Sequence, residues 1–415
     1  MKINRVLKDR FINLSLRTSS LLSKLIFLIV LGRSLTDADF GYYGLISSSI
    51  IYMCGFLGLE FYSYTNRLIL NEKASANKLL LNHLLLIIVV FFTVTCILYI
   101  TGLGSMLAGD YFLLFIMILF SEYISVELNR LLILKNMQVI SSILLFIRTG
   151  FWMLPAALLI IINESKVELS QVLWFWVIMS GIPAMISGGL VIIKFDLKFQ
   201  MANIDRYLVL EGLKQSFPLF IASQLTLLLF IVDRVYLKFV SGIEIVGVYI
   251  FFYGITNALM SILESTTFMY FWPKLVILFS NDKGHLIKVE VNKMLKNVLF
   301  TSILIAIISV LLIDYIIIFI DKDFVASYKT VFFILLLSFI FRSLSYTYHY
   351  ALYSIKADSI LFFISFFSII VFFILSFLLV IFLPPIFAVS NAILVVSLFQ
   401  LGCKKYFWDI KEGEL

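Results

Sequence analysis

Charged residues make up only 14% of this 415-residue chain, against about 25% in soluble domains. That scarcity excludes an ordinary soluble globule. The polar stretches between apolar runs are also short, too short to hold a soluble catalytic domain. Cysteine is nearly absent: Cys54, Cys96 and Cys403 are dispersed, with no disulfide or metal spacing. The three histidines, His83, His285 and His349, are equally scattered. There is no P-loop and no GxGxxG. Asp321-Lys322-Asp323 has the outline of a sugar-transferase DxD, but it stands alone between two apolar runs and reads as a solvated turn. The basic N-terminus leads into an apolar run without a small-residue cleavage site, so no signal peptide is expected.

What fills the chain is hydrocarbon. Hydrophobic residues reach 62% and the mean hydropathy is +1.07. Apolar windows long enough to span a bilayer, ~20 residues each, recur from end to end. They predict an all-α polytopic membrane protein with twelve spans, near 11–31, 42–62, 79–101, 111–133, 138–162, 170–193, 216–240, 245–270, 296–320, 328–350, 359–382 and 386–402. A β-barrel would instead show alternating segments of ~10 residues. The longest connections are expected around 194–215 and 271–295.

Lysine and arginine fix the expected orientation. With the N-terminus inside, twenty-two of the 32 cations fall in cytoplasmic segments, Lys404, Lys405 and Lys411 of the C-terminal tail among them. Five fall outside and five within spans. Both termini are therefore expected in the cytoplasm. The net charge of +7 follows from topology and implies no nucleic-acid partner. A shift of 206 residues aligns LGRSLTDADFGYY, from Leu31, with LKFVSGIEIVGVY, from Leu237, matching Gly41 with Gly247. The chain is thus expected to form two six-span lobes, 1–200 and 201–415, related as a parallel repeat. Ser180, Ala184 and Gly188, four apart, would let the sixth span approach a neighbour closely.

The five intramembrane cations are Arg17, Lys24, Arg148, Arg234 and Arg342. Each would cost roughly 2.5–3.5 kcal/mol facing lipid at mid-bilayer, so a water-filled cavity or partner anions are expected. In NLSLRTSSLLSK, Asn13, Arg17, Ser20 and Lys24 fall at i, i+4, i+7 and i+11, one helical face. Ser338, Arg342, Ser345 and His349 repeat that stripe in the tenth span, beside Tyr346, Tyr348 and Tyr350. Rings beside a guanidinium suit a sugar-phosphate: rings stack on sugar faces, and arginine grips phosphate bidentately. Tyr346 and His349 are accordingly the sugar-contact candidates. Among the acids Glu60, Glu122, Glu127, Asp233 and Glu264, the first two and Asp233 are candidates for ion coupling or charge pairing. Glu127 has Arg130 one turn away as a natural partner. No metal or organic cofactor is expected, and proton or sodium coupling is left open.

LGRSLTDADFGYYGLISSSIIYMCGFLGLE resembles the opening of bacterial polysaccharide-export flippases: Leu-x-Arg-x-Leu, an acidic turn, Phe-Gly-x-Tyr, then a helix ending near Gly-Leu. VDRVYLKFVSGIEIVGVYIFFYGI is similar to their second-half pattern, Asp-Arg-x-x-Leu followed by Val-Gly-x-Tyr. The last two spans depart from it in holding few glycines. The resemblance, to the oligosaccharidyl-lipid flippase branch of the multidrug and polysaccharide exporter superfamily and its O-antigen flippases, implies a two-lobed bundle. Its central cationic cavity would accept the phosphate end of a polyprenyl-pyrophosphate-linked oligosaccharide in the bacterial inner membrane. A polysaccharide polymerase and a chain-length regulator are the implied partners. The rival readings are a multidrug cation antiporter of the same superfamily, a membrane glycan polymerase or transferase, and a structural partner of such a pathway.

Overall fold

The computed structural model describes residues 2–70, 75–163, 167–197, 204–229, 231–281 and 284–413. Lys73, Lys166, Lys198 and Lys283, all counted in the charge balance, lie outside the described residues. The described residues contain no strand. The helices are α1 (Lys2–Ser34), α2 (Asp37–Gly58), α3 (Phe61–Leu70), α4 (Ala76–Ile100), α5 (Leu103–Ala108), α6 (Phe112–Leu134), α7 (Gln138–Phe146), α8 (Met153–Asn163), α9 (Leu169–Phe195), α10 (Arg206–Leu228), α11 (Val232–Ser241), α12 (Ile243–Leu263), α13 (Met269–Ser280), α14 (Gly284–Ile320), α15 (Asp323–Ser327), α16 (Lys329–Ser354), α17 (Asp358–Leu379) and α18 (Pro385–Glu412).

Among the described residues, eleven spans are long and apolar enough to cross a membrane. Counting α10 and α11 as one span brings the number to as many as twelve. The expected span at 216–240 falls on two helices, α10 and α11. Two spans carry a π-turn, Ile147–Phe151 between α7 and α8 and Glu264–Phe268 between α12 and α13. Such turns widen the backbone and are frequent at functional sites. Residues 271–295 are not the loop their charges suggest. Most of them are helical, because α13 runs to Ser280 and α14 starts at Gly284.

Two compact units are present, residues 1–27 with 42–231, and residues 28–41 with 232–415. In the first, α6 packs on α9 through small polar side chains. Ser180 is fully buried, in contact with the Ser121 hydroxyl, and its carbonyl accepts from Ser125. The Gly188 side of α9 meets Leu128. Without a hydrophobic drive between helices in lipid, close approach of this kind is what holds spans together. At one polar end, Asp205 caps α10 by accepting from the Tyr207 and Leu208 amides, and it pairs with Lys78. Those contacts, Lys78 first, hold its carboxyl below the usual range.

The parallel repeat is visible in the turns. After α6, Asn136 has φ 58°, and after α16, Lys356 has φ 60°. Each turn closes with the same two bonds, Met137 N–H to Leu132 O and Asn136 N–H to Ile133 O in one, Ala357 to Leu352 and Lys356 to Tyr353 in the other, all at 3.0 Å. That is the Schellman arrangement, built twice at corresponding places.

In the second unit the two aligned glycines meet. A methyl on Gly247 would stand 2.5 Å from the Asp37 carbonyl oxygen and 3.2 Å from the Gly41 nitrogen, and one on Gly41 would collide with the Ile243 carbonyl. Lys322 fastens the same corner, donating to Leu35 O at 2.6 Å and to Asp37 at 2.9 Å. Asp321, at φ 55°, ends α14, and Asp323 opens α15, so the Asp-Lys-Asp tripeptide is a turn. Gly247→Ala is expected to destabilise by about 1–3 kcal/mol, the usual cost of overpacking. Gly402→Ala, with nothing within 4 Å, should be neutral or slightly stabilising. Melting of the two purified variants in detergent checks this; equal melting temperatures would show that the close approach is dispensable.

Candidate functional site

The second unit gathers cations around tyrosine. On α12, Tyr249, Tyr253 and Asn257 follow at i, i+4 and i+8, which puts them on one face. Asp233 and Arg234 stand in the first turn of α11, both buried. Asp233 is satisfied locally, accepting from the Tyr249 hydroxyl at 2.6 Å and from the Arg234 amide at 2.9 Å. The Arg234 guanidinium reaches Asp233 only at 3.9 Å and lies instead over the Tyr253 ring, 4.3 Å from its centroid. From α16, Arg342 donates to the same Tyr253 hydroxyl at 3.0 Å and reaches Asn257 Oδ1 at 3.5 Å. Its Nε is buried and finds no acceptor among the described residues.

The row continues along α16. Tyr346 lies one turn from Arg342, its ring 5.5 Å from that of His349 and 6.1 Å from that of Tyr350. From α18, Lys404 projects over the Tyr346 ring at 5.5 Å. Lys404 is only 5% exposed, and no carboxylate pairs with it among the described residues. Glu264, on the π-turn, is exposed and within electrostatic reach of Arg342. Three cations thus share an aromatic interior whose one buried acid is already engaged by a tyrosine hydroxyl. Cation–π contact relieves part of each charge, but unused N–H donors remain, the arrangement that accepts an oxyanion.

The first unit treats its charges differently. Arg148, on the π-turn and 8% exposed, stands 3.4 Å from a Glu122 carboxylate oxygen. The other carboxylate oxygen accepts from Trp176 Nε1 at 2.8 Å. Glu127 pairs with Arg130 at 2.5 Å and lies 3.8 Å from His83, while Arg130 covers the Tyr62 ring at 3.7 Å. Arg17 and Lys24 are exposed on this unit, and Lys24 is within electrostatic reach of Glu122 and Arg148. Glu60 sits at φ 54° in the turn between α2 and α3, within electrostatic reach of Glu127. The structure therefore gathers Arg234, Arg342, Tyr346 and His349 in one unit and joins Glu122 to Arg148 in the other. Among the described residues no three His, Cys, Asp or Glu side chains come together as a metal site.

Sequence reasoning missed Tyr253, Asn257 and Lys404. The tyrosine stripe of α12 was readable at four-residue spacing in VGVYIFFYGITN. Lys404 was not: beside Lys405, at the end of an apolar run, it counts as a tail charge. The structure corrects that assignment, because α18 continues past it to Glu412 and turns it inward.

Known proteins give a consistent picture. No curated protein sequence matches the chain. The fold is similar to solved transporters, each at low identity. An inward-facing multidrug resistance MATE family transporter of the MOP superfamily superposes with TM-score 0.68 at 12% identity, covering 97% of this chain and 98% of that one. An outward-facing structure of such a transporter gives 0.62 at 12%, covering 97% and 93%. A Vibrio cholerae MATE transporter gives 0.56 at 14%, covering 98% and 97%. The profile of the family described as "Polysaccharide biosynthesis protein" matches residues 6–270, well over half the sequence, and with the MOP-type fold around it the chain belongs to that family.

Proposed function

We propose that this protein is a flippase that moves polyprenyl-pyrophosphate-linked oligosaccharide, a repeat unit of O-antigen or capsule, across the bacterial inner membrane with both termini cytoplasmic. The observation that carries the reading is the acid-poor cationic row Arg234–Arg342–Lys404 threaded through Tyr253 and Tyr346. Pyrophosphate offers several oxyanions, which Arg342 and Lys404 meet with donors that the protein leaves unused. Tyr346 and His349 offer ring faces to the first sugars, and the prenyl chain stays in lipid. In this reading the lobes 1–200 and 201–415 alternate access to the row, and the substrate shifts that equilibrium only as far as it binds the two states differently. Arg17 and Lys24 serve on the first lobe as added phosphate contacts. The Glu122–Arg148 pair serves the first lobe as a buried charge pair. A polymerase and a chain-length regulator would take the product on.

The multidrug transporters that share the fold make a cation antiporter the second reading. A cationic drug would meet three cations against two acids, the engaged Asp233 and the exposed Glu264, and the Coulomb term opposes it. Complementation decides. A flippase-deficient strain carrying the protein's own glycan cluster should regain surface glycan with the wild-type chain. Lys404→Met should lower that glycan roughly tenfold, about one charge-assisted contact, at equal abundance in the membrane. Restored drug resistance without glycan would establish the antiporter instead.

A further inference from the structure

A second charged site lies apart from the cationic row. Between α13 and α14 is a cavity of about 460 Å³ that includes Tyr270, Lys274, Glu290, Lys293, Lys296 and Asn297 in its wall. Glu290 is 7% exposed and holds two of the lysines, Lys274 at 2.7 Å and Lys293 at 2.9 Å. Its single negative charge is shared between them. Lys296 is exposed and meets no carboxylate among the described residues. Three lysines against one acid leave the cavity with an excess of two positive charges.

What surrounds the cavity is not an aqueous loop. Tyr270 is 59% exposed and Trp272 39%, the amphipathic rings expected at headgroup level. Beyond Asn297, α14 becomes a lipid face, with Phe300 71% exposed and Leu311 66%. One stretch further along, α14 and α16 enclose an apolar furrow of about 400 Å³ whose walls include Ile307, Phe333 and Ile340. From Asn297 to Ile307 is about 15 Å along the helix at ~1.5 Å per residue, within the length of a fatty-acyl chain. A free phosphate would use the lysines alone. A cationic, aromatic-rimmed cavity followed along one helix by an apolar furrow fits a molecule with an anionic head and a hydrocarbon tail.

We infer that the α13–α14 cavity is a binding site for an anionic glycerophospholipid of the surrounding bilayer, its phosphodiester at Lys293 and Lys296 and an acyl chain along α14. Glu290 holds Lys274 and Lys293 in the same cavity wall as Lys296. This site is independent of the transport reading: it would remain if the cargo were something else.

The experiment is lipid binding by the purified full-length chain in detergent, read by native mass spectrometry and by melting temperature. Phosphatidylglycerol should bind and raise the melting temperature; phosphatidylcholine should do neither at the same concentration. Glycerol 3-phosphate, the headgroup without its tails, should also be silent. Lys296→Glu breaks no ion pair and removes the excess charge, so it should weaken phosphatidylglycerol binding tenfold or more, at roughly fivefold for each unit of charge near an anionic lipid. Lys296→Arg should bind as the wild type does. Equal binding of phosphatidylcholine, full binding by glycerol 3-phosphate, or unchanged binding in Lys296→Glu would each overturn the assignment. A Lys296→Glu variant that melts like the wild type in pure detergent shows that any loss is of lipid and not of fold.

Discussion

Replacing Arg342 with alanine should lower surface glycan at least tenfold while leaving the amount of protein in the membrane unchanged. The two halves of that expectation come from the same geometry. Arg342 is held by neutral partners, the Tyr253 hydroxyl and Asn257 Oδ1. Removing it strands no buried carboxylate, so the cost to the fold is that of ordinary hydrogen bonds, about 1 kcal/mol each. A guanidinium–phosphate contact is worth roughly 1.5–3 kcal/mol, which is about ten- to a hundredfold in binding. Arg342→Lys retains the charge but loses the planar fork, and should fall between the two. Complementation with immunoblotting of the membrane fraction measures both quantities together. If Arg342→Ala restores glycan like the wild type, the row around Tyr253 is packing and its proposed role falls.

Glu122 should behave in the opposite way. Glu122→Gln keeps an acceptor for Trp176 but removes the charge that faces Arg148, itself 8% exposed. A buried charge left without its partner costs about 3–5 kcal/mol. The expected result is a protein that melts far below the wild type in detergent and is scarce in the membrane. Adding Arg148→Met to the same chain removes the stranded cation and should restore much of the stability, since replacing both partners of a buried pair is often neutral. Should Glu122→Gln instead accumulate normally, melt normally and fail to transport, the pair is part of the transport cycle and not of the scaffold.

The contrast between these two residues marks how far the sequence could be read. Apolar length was sufficient for the spans, because a bilayer leaves few other uses for ~20 apolar residues in a row. It failed where charges sit on helix. The stretch 271–295 looked like a loop, yet α14 carries its lysines through its first turns as ordinary helix. The polar stripes were real as helix faces, but one face did not mean one fate. Ser20 is buried where Gly150 comes within van der Waals reach, while Arg17 and Lys24 on the same face are exposed. Short hydroxyls bond back to their own helix, as Ser20 does to Leu16 O, and long cations carry their charge away from the backbone. Spacing alone also could not tell that Arg148 has a carboxylate and Arg342 a phenol. That depends on which helices meet, and a single sequence holds no record of it.

The clasp at Gly41, Asp37 and Lys322 has a consequence for how the protein is made. Asp37 and Lys322 are 285 residues apart. At roughly 5–20 residues per second, the ribosome delivers the lysine about 15–60 s after the aspartate. Gly41 waits about 200 residues for Ile243 and Gly247, and the Leu35 carbonyl is without its ammonium until Lys322 follows. Residues 28–41 thus belong to a unit whose remainder, 232–415, is translated much later, so the C-terminal stretch by itself does not encode a finished unit.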